Sequence, residues 1–113
     1  MIRILLADDH EIVRRGLREV LETHPDWEVC AEAENGREAV ERAREHRPDV
    51  AVLDLSLPEL NGLEATRRIR RESPNTEVLV FTVHDSEEMS RVRNVNTHNT
   101  QYTNYRIPNT LKR

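Results

Sequence analysis

No apolar run in this chain approaches the length of a membrane span, and its N-terminus lacks the basic, apolar and small-residue succession of a secretory leader. The expectation is a soluble, cytoplasmic protein with no membrane partner. Cysteine is nearly absent: Cys30 stands alone, so an internal disulfide is excluded, and in a strand-like stretch it reads as a small half-buried side chain rather than a reactive thiol. Glycine is scarce, with three residues, all at or before Gly62. Neither a Gly-rich dinucleotide fingerprint nor a phosphate-cradling P-loop is present. At 113 residues the chain holds one small core and not two.

The absence of acid is local. All 21 acidic residues lie at or before Glu88, with 12 of the 17 basic ones, so residues 1–88 carry a net charge of −9. Residues 89–113 contain no Asp or Glu and five basic residues, and Asn recurs at 94, 96, 99, 104 and 109. Two compositions therefore meet near Met89, dividing the chain into residues 1–89 and a basic, Asn/Thr-rich tail over 90–113. The overall −4 argues weakly against nucleic acid as a partner of the whole domain.

Before the break, apolar runs and amphipathic stretches alternate. Residues 2–7 and 50–53 are mostly apolar, as are 78–81, which suits strands buried on both faces of a sheet. Residues 27–33 alternate, placing Trp27, Val29, Ala31 and Ala33 on one side, the pattern of a half-exposed edge strand. Helical spacing starts at Glu11, with Ile12, Val13, Leu17, Val20 and Leu21 on one face, and His24-Pro25 stops it. Two further helices are expected over 37–46 and roughly 63–72, the latter with Leu63, Thr66 and Ile69 inward. Asp85 followed by Glu88 resembles a capping box opening a fourth helix. The order β-α-β-α-β-α-β gives an α/β fold, a doubly wound parallel sheet. With the alternating strand at the edge, the strand order is 2-1-3-4.

In such sheets, functional groups gather beyond the carboxyl ends of the strands at a switch point. The buried-type strands end in Asp8-Asp9, Asp54 and Thr82. Taken singly, an Asp before a helix is more often an N-cap, and a Thr at a strand end is common. Taken together, adjacent first and third strands would bring up to three carboxylates into one crevice. Carboxylates so placed repel one another and call for a cation, and hard oxygen ligands suit Mg²⁺.

Asp8-Asp9, the stretch Val52-Leu53-Asp54-Leu55-Ser56-Leu57-Pro58-Glu59-Leu60-Asn61-Gly62, and Phe81-Thr82 resemble the receiver domain of two-component response regulators, a flavodoxin-like fold. The opening Ile4-Leu5-Leu6-Ala7-Asp8-Asp9-His10 and Asn35-Gly36-Arg37-Glu38-Ala39 are similar to the NarL/FixJ type. The resemblance implies that Asp54 takes a phosphoryl group from a sensor histidine kinase, so that the domain is a self-phosphorylating acceptor, not an enzyme on other substrates. It implies Mg²⁺ held by Asp8, Asp9, Asp54 and the backbone carbonyl of Ser56, and Thr82 as a switch residue. Pro58 and Gly62 would shape the loop beside the site, and His84 is expected to be an exposed loop residue. DNA would be reached only through an output domain absent from this chain. A haloacid dehalogenase-type phosphatase would want an acid where Ser56 stands, and an FMN binder would be repelled by Asp8-Asp9.

The resemblance stops near residue 89. A complete receiver has a fifth helix and a fifth strand ending in lysine, whereas the single lysine here is Lys112, and Asn104 stands near the expected place. The usual fifth strand and helix are therefore missing or replaced. A shifted reading frame or an unrelated fusion would give so abrupt a change and is the favoured origin. A replacement edge strand through Gln101–Ile107 and a basic arm for nucleic acid or an acidic partner are alternatives, with a solvated tail as the default. An uncovered fourth strand leads to the expectation of a homodimer or domain-swapped dimer. The competing functional reading is a pseudo-receiver that only binds or oligomerises.

Overall fold

The computed structural model describes the backbone of residues 1–83, 89–94 and 101–106, with side chains through Phe81. The chain runs β1 (Ile2–Ala7), α1 (Glu11–Leu21), β2 (Trp27–Ala33), α2 (Gly36–His46), β3 (Val50–Asp54), α3 (Gly62–Glu72), β4 (Glu77–Val83), β5 (Met89–Asn94) and β6 (Gln101–Arg106). The six strands form one sheet in the order β2-β1-β3-β4-β5-β6. Its first four members are mutually parallel and follow the expected order 2-1-3-4.

Hydrophobic burial organises this half of the sheet. Leu5 and Ala7 of β1, Ala51 and Leu53 of β3, and Val78 and Val80 of β4 pack with Ala39, Val40 and Ala43 of α2 and Ala65 and Ile69 of α3 into one core. Burying a large aliphatic side chain of this kind contributes roughly 1.5–3 kcal/mol. Small residues on α2 and α3 let the helices lie close to the strands. Asn35 and Asn61 cap them, each accepting a backbone N–H from three residues on, Glu38 at 2.8 Å and Glu64 at 3.0 Å.

The alternation expected through β2 is broken by a bulge. Val29 pairs with Ile4 and Ala31 with Leu5, so Cys30 is an extra residue and Val29 and Ala31 turn to opposite faces. Ala31 and Ala33 join the core on the α2 side. Glu32 turns to the α1 side, where Arg14 Nε donates to it at 2.8 Å.

The apolar stripe of α1 is only partly used. Val13 is buried, whereas Ile12 is 62% and Val20 54% exposed, contrary to the inward face expected for both. Ion pairs of Arg14 and Arg18 with Glu32 hold this helix to β2, and Arg18 also pairs with Glu22 at the helix's own C-terminal end. No described element covers the remainder of that stripe.

Beyond β4 the fold departs from the expectation of an open edge and a solvated tail. β5 pairs antiparallel with β4, with Thr82 opposite Arg91, and β6 pairs antiparallel with β5. Where the usual fifth strand was expected missing or replaced, this antiparallel pair takes the edge, as in the edge-strand alternative, over residues 101–106 of the 101–107 expected. Val92 of β5 and Tyr102, Thr103 and Tyr105 of β6 are strand-favouring residues, and β5 supplies the hydrogen-bonding partner that β4 would otherwise lack. The Asp85–Glu88 capping box, His84, Ile107 and Lys112 lie outside the described residues. The described chain resumes as a strand at Met89.

Candidate functional site: an acidic cluster at the ends of β1 and β3

β1 and β3 are neighbours, with Ala7 opposite Leu53, so the residues that follow them emerge side by side. The structure brings Asp8, Asp9 and Asp54 together, as the topology expected, and adds His10: one ligand atom from each lies within 4.8 Å of the others. Asp8 is fully buried and Asp54 nearly so, while Asp9 and His10 are about one-third exposed on their side chains. The cluster therefore has a sealed floor and an open rim.

Each floor residue is held by backbone chemistry. The Asp8 N–H donates to the Ala33 carbonyl at 3.1 Å, and the Asp8 carbonyl accepts from Arg14 Nη1 at 2.7 Å. Its side-chain Oδ1 accepts the His10 N–H at 2.7 Å. Its other oxygen, Oδ2, is buried without a hydrogen-bond partner. An unpaired buried carboxylate oxygen forfeits its hydration and costs on the order of 1–3 kcal/mol or more. This oxygen is suited to a cation, because a cation replaces the lost water without requiring a proton.

Asp54 ends β3, and its Oδ1 accepts the Ser56 N–H at 3.2 Å. The following loop is tied down at several points. The Leu55 N–H donates to the Phe81 carbonyl at 2.8 Å, continuing the β3–β4 ladder, and the Gly62 N–H returns to the Leu55 carbonyl at 3.0 Å. A tight turn closes with Leu60 N–H to the Pro58 carbonyl at 2.7 Å, across Glu59 in the left-handed region at φ 65°. A non-glycine residue there costs about 1 kcal/mol or more and persists only where its surroundings fix it.

Two glycines make this packing possible. A Cβ on Gly62 would come within 2.6 Å of the Asp54 carbonyl oxygen, and one on Gly36 within 1.7 Å of the Leu60 carbonyl oxygen. The Gly36 N–H donates to the Pro58 carbonyl at 3.2 Å, so the start of α2 buttresses the loop after the acceptor strand. Pro58 and Gly62 are thus loop-shaping residues. Thr82 is the penultimate residue of β4, one position beyond Phe81. His10 is the member of the cluster that sequence reasoning passed over; its signal was its place directly after the Asp pair.

Carboxylates gathered at the switch point of the parallel half of a doubly wound sheet lie where such folds carry their functional groups, and their oxygen donors suit a hard cation. The response regulator receiver domain family matches residues 4–102, and the chain belongs to that family. It is thus a receiver domain of the two-component response regulators, whose standard role is that of phosphoacceptor. It is 41% identical over 86 residues to the transcriptional regulatory protein DegU of Brevibacillus brevis, covering 76% of this chain and 36% of that protein. It is 43% identical over 88 residues to the DNA-binding transcriptional activator DevR/DosR of Mycobacterium tuberculosis, covering 78% of this chain and 41% of that one. Among solved structures it resembles a LuxR-family two-component response regulator from Aurantimonas sp. SI85-9A1, at TM-score 0.71 and 46% identity over 75% of this chain and 61% of that one. The chain thus spans well under half the length of these two curated relatives. Other relatives are protein-glutamate methylesterases, matched over 60 residues or fewer than a fifth of their length.

Proposed function

We propose that Asp54 is the phosphoacceptor of this receiver and that it takes its phosphoryl group from a sensor histidine kinase. The observation that carries the reading is the nearly buried Asp54 carboxylate clustered with Asp8, whose buried Oδ2 has no hydrogen-bond partner. Asp8 and Asp9, with Asp54 and the Ser56 carbonyl, would hold Mg²⁺, which neutralises charge on an attacking carboxylate and on phosphoryl oxygens when bound. The donor set fits: oxygen ligands, few of them from protein, with an open rim for water. The chain's own contribution is to hold Asp54 fixed through the Ser56 N–H and the buttressed loop, so that transfer rests on positioning. Thr82, at the end of β4, is proposed as the switch residue.

The test is labelling with a small phosphodonor and Mg²⁺, followed by detection of acid-stable, base-labile acyl phosphate. The wild type should label and Asp54→Asn should not; equal labelling of both would overturn the assignment. The domain itself is proposed to act as a regulated acceptor without turnover of other substrates.

We further propose that residues 1–89 form the receiver proper and residues 90–113 a basic addition to its edge. Cytoplasmic location is proposed from the family and from the absence, among the described residues, of a helix long and apolar enough to span a membrane. DNA contact would need an output domain of the kind carried by the relatives. A homodimer or domain-swapped dimer is proposed at the β6 edge, since β5 covers the β4 edge first expected to drive it. Light scattering that reads a monomer at every concentration overturns that assembly.

A further inference from the structure

His10 is more than the residue before α1. Its side chain makes no cap hydrogen bond to that helix, and it turns back into the acidic cluster instead. The ring nitrogen Nδ1 lies 3.0 Å from Asp8 Oδ1 and 2.7 Å from Asp9 Oδ1. The first is a hydrogen-bond contact and both are ion-pair contacts; neighbouring donors of an octahedral ion with bonds of about 2.1 Å also stand roughly 3.0 Å apart, so a cation that displaces the shared proton would find these atoms spaced as adjacent ligands. The other oxygen of the same carboxylate, Asp8 Oδ2, is buried without a hydrogen-bond partner, an independent sign that this side chain is short of a cation.

We propose that His10 is a nitrogen ligand of this site, so that the acidic cluster binds borderline divalent cations such as Ni²⁺ or Zn²⁺ through an N,O-donor set as well as Mg²⁺ through oxygen alone. This rests on the reading of the cluster as a cation site. Mg²⁺ gains little from imidazole, being a hard ion that favours carboxylate and water. Ni²⁺ gains more, because affinity for nitrogen donors rises along the first-row series. The consequence is selectivity. Removal of His10 lowers affinity for the transition ion and leaves Mg²⁺ binding in place.

The observation distinguishes His10 from the other described histidines. His24 stacks on Trp27 at a ring separation of 4.3 Å, away from any acidic group of this cluster. His46 ends α2, outside the cluster.

The experiment is isothermal titration of untagged protein with Ni²⁺ and with Mg²⁺, for wild type, His10→Ala, His10→Gln and Asp8→Asn. Circular dichroism melts check that each variant folds. The expected result is a Ni²⁺ affinity about ten-fold or more lower in both His10 variants, with Mg²⁺ affinity changed by less than about three-fold. Asp8→Asn should weaken both ions. Equal loss of both ions on removing His10, or no loss of either, overturns the ligand assignment while leaving the cation site standing. Failure of Mg²⁺ and Ni²⁺ to respond to Asp8→Asn overturns the cation site itself, and His10 with it.

Discussion

Gly36→Ala opposes two effects of different size. Alanine at a helix position is favoured over glycine by at most about 1 kcal/mol, and less at the first residue of α2, where Gly36 stands. Against this, the new Cβ would lie 1.7 Å from the Leu60 carbonyl oxygen and 2.6 Å from its carbon, both backbone atoms. Ordinary contact would require the start of α2 and the β3–α3 loop to separate by well over 1 Å. Such overpacking costs roughly 1–3 kcal/mol. The Gly36 N–H to Pro58 carbonyl bond at 3.2 Å would be lost with it, at about 0.5–1.5 kcal/mol. The clash wins, and the net destabilisation should be about 1–3 kcal/mol. For a domain of this size that lowers Tm by roughly 5–20 °C. The same movement loosens the loop that carries the Ser56 N–H to Asp54, so phosphodonor labelling should slow by more than the unfolded fraction explains. Urea unfolding gives the stability and labelling at saturating Mg²⁺ gives the rate. A Gly36→Ala protein within 0.5 kcal/mol of wild type would refute the close approach on which the buttress depends.

Asp8→Asn removes one of the clustered carboxylates while leaving an oxygen to accept the His10 N–H. Without divalent cation the variant should be as stable as wild type or more so, and Mg²⁺ should no longer raise its melting temperature; a full Mg²⁺ response in differential scanning fluorimetry contradicts this. Cys30 should be a poor nucleophile in the native protein, since burial pushes its thiol above the ordinary range, partly opposed by the Arg3 charge. A raised pKa means less thiolate at any pH below it, so iodoacetamide should label native protein several-fold more slowly than urea-unfolded protein at pH 8. Equal rates would show that β2 does not protect it.

Much of this arrangement was legible in local pattern. The buried runs 50–53 and 78–81 lie within β3 and β4, the helix over 37–46 starts one residue earlier at Gly36, and the edge character of residues 27–33 fixed the strand order. Asp8, Asp9 and Asp54 could be brought to one crevice because a parallel sheet with right-handed crossovers leaves only one end for strand-terminal residues. Sequence periodicity was less dependable where burial depends on a distant partner. Ile12 and Val20 have helical spacing, yet both are exposed, because an apolar stripe is buried only where another element reaches it. The bulge at Cys30 likewise comes from the fit of β2 to β1, and no residue type in 27–33 announces it.

The sequence by itself therefore determined the parallel half of the sheet and the carboxylates at its switch point, since strand length, alternation and strand-end chemistry are properties of consecutive residues. Tertiary structure alone decided that β5 turns antiparallel onto β4 and β6 antiparallel onto β5, because strand pairing follows available hydrogen-bonding edges rather than local pattern. It alone decided, too, that His10 turns back toward two carboxylates and that one buried oxygen of Asp8 is left without a hydrogen-bond partner. Those are distances between side chains, and spacing along a chain does not contain them.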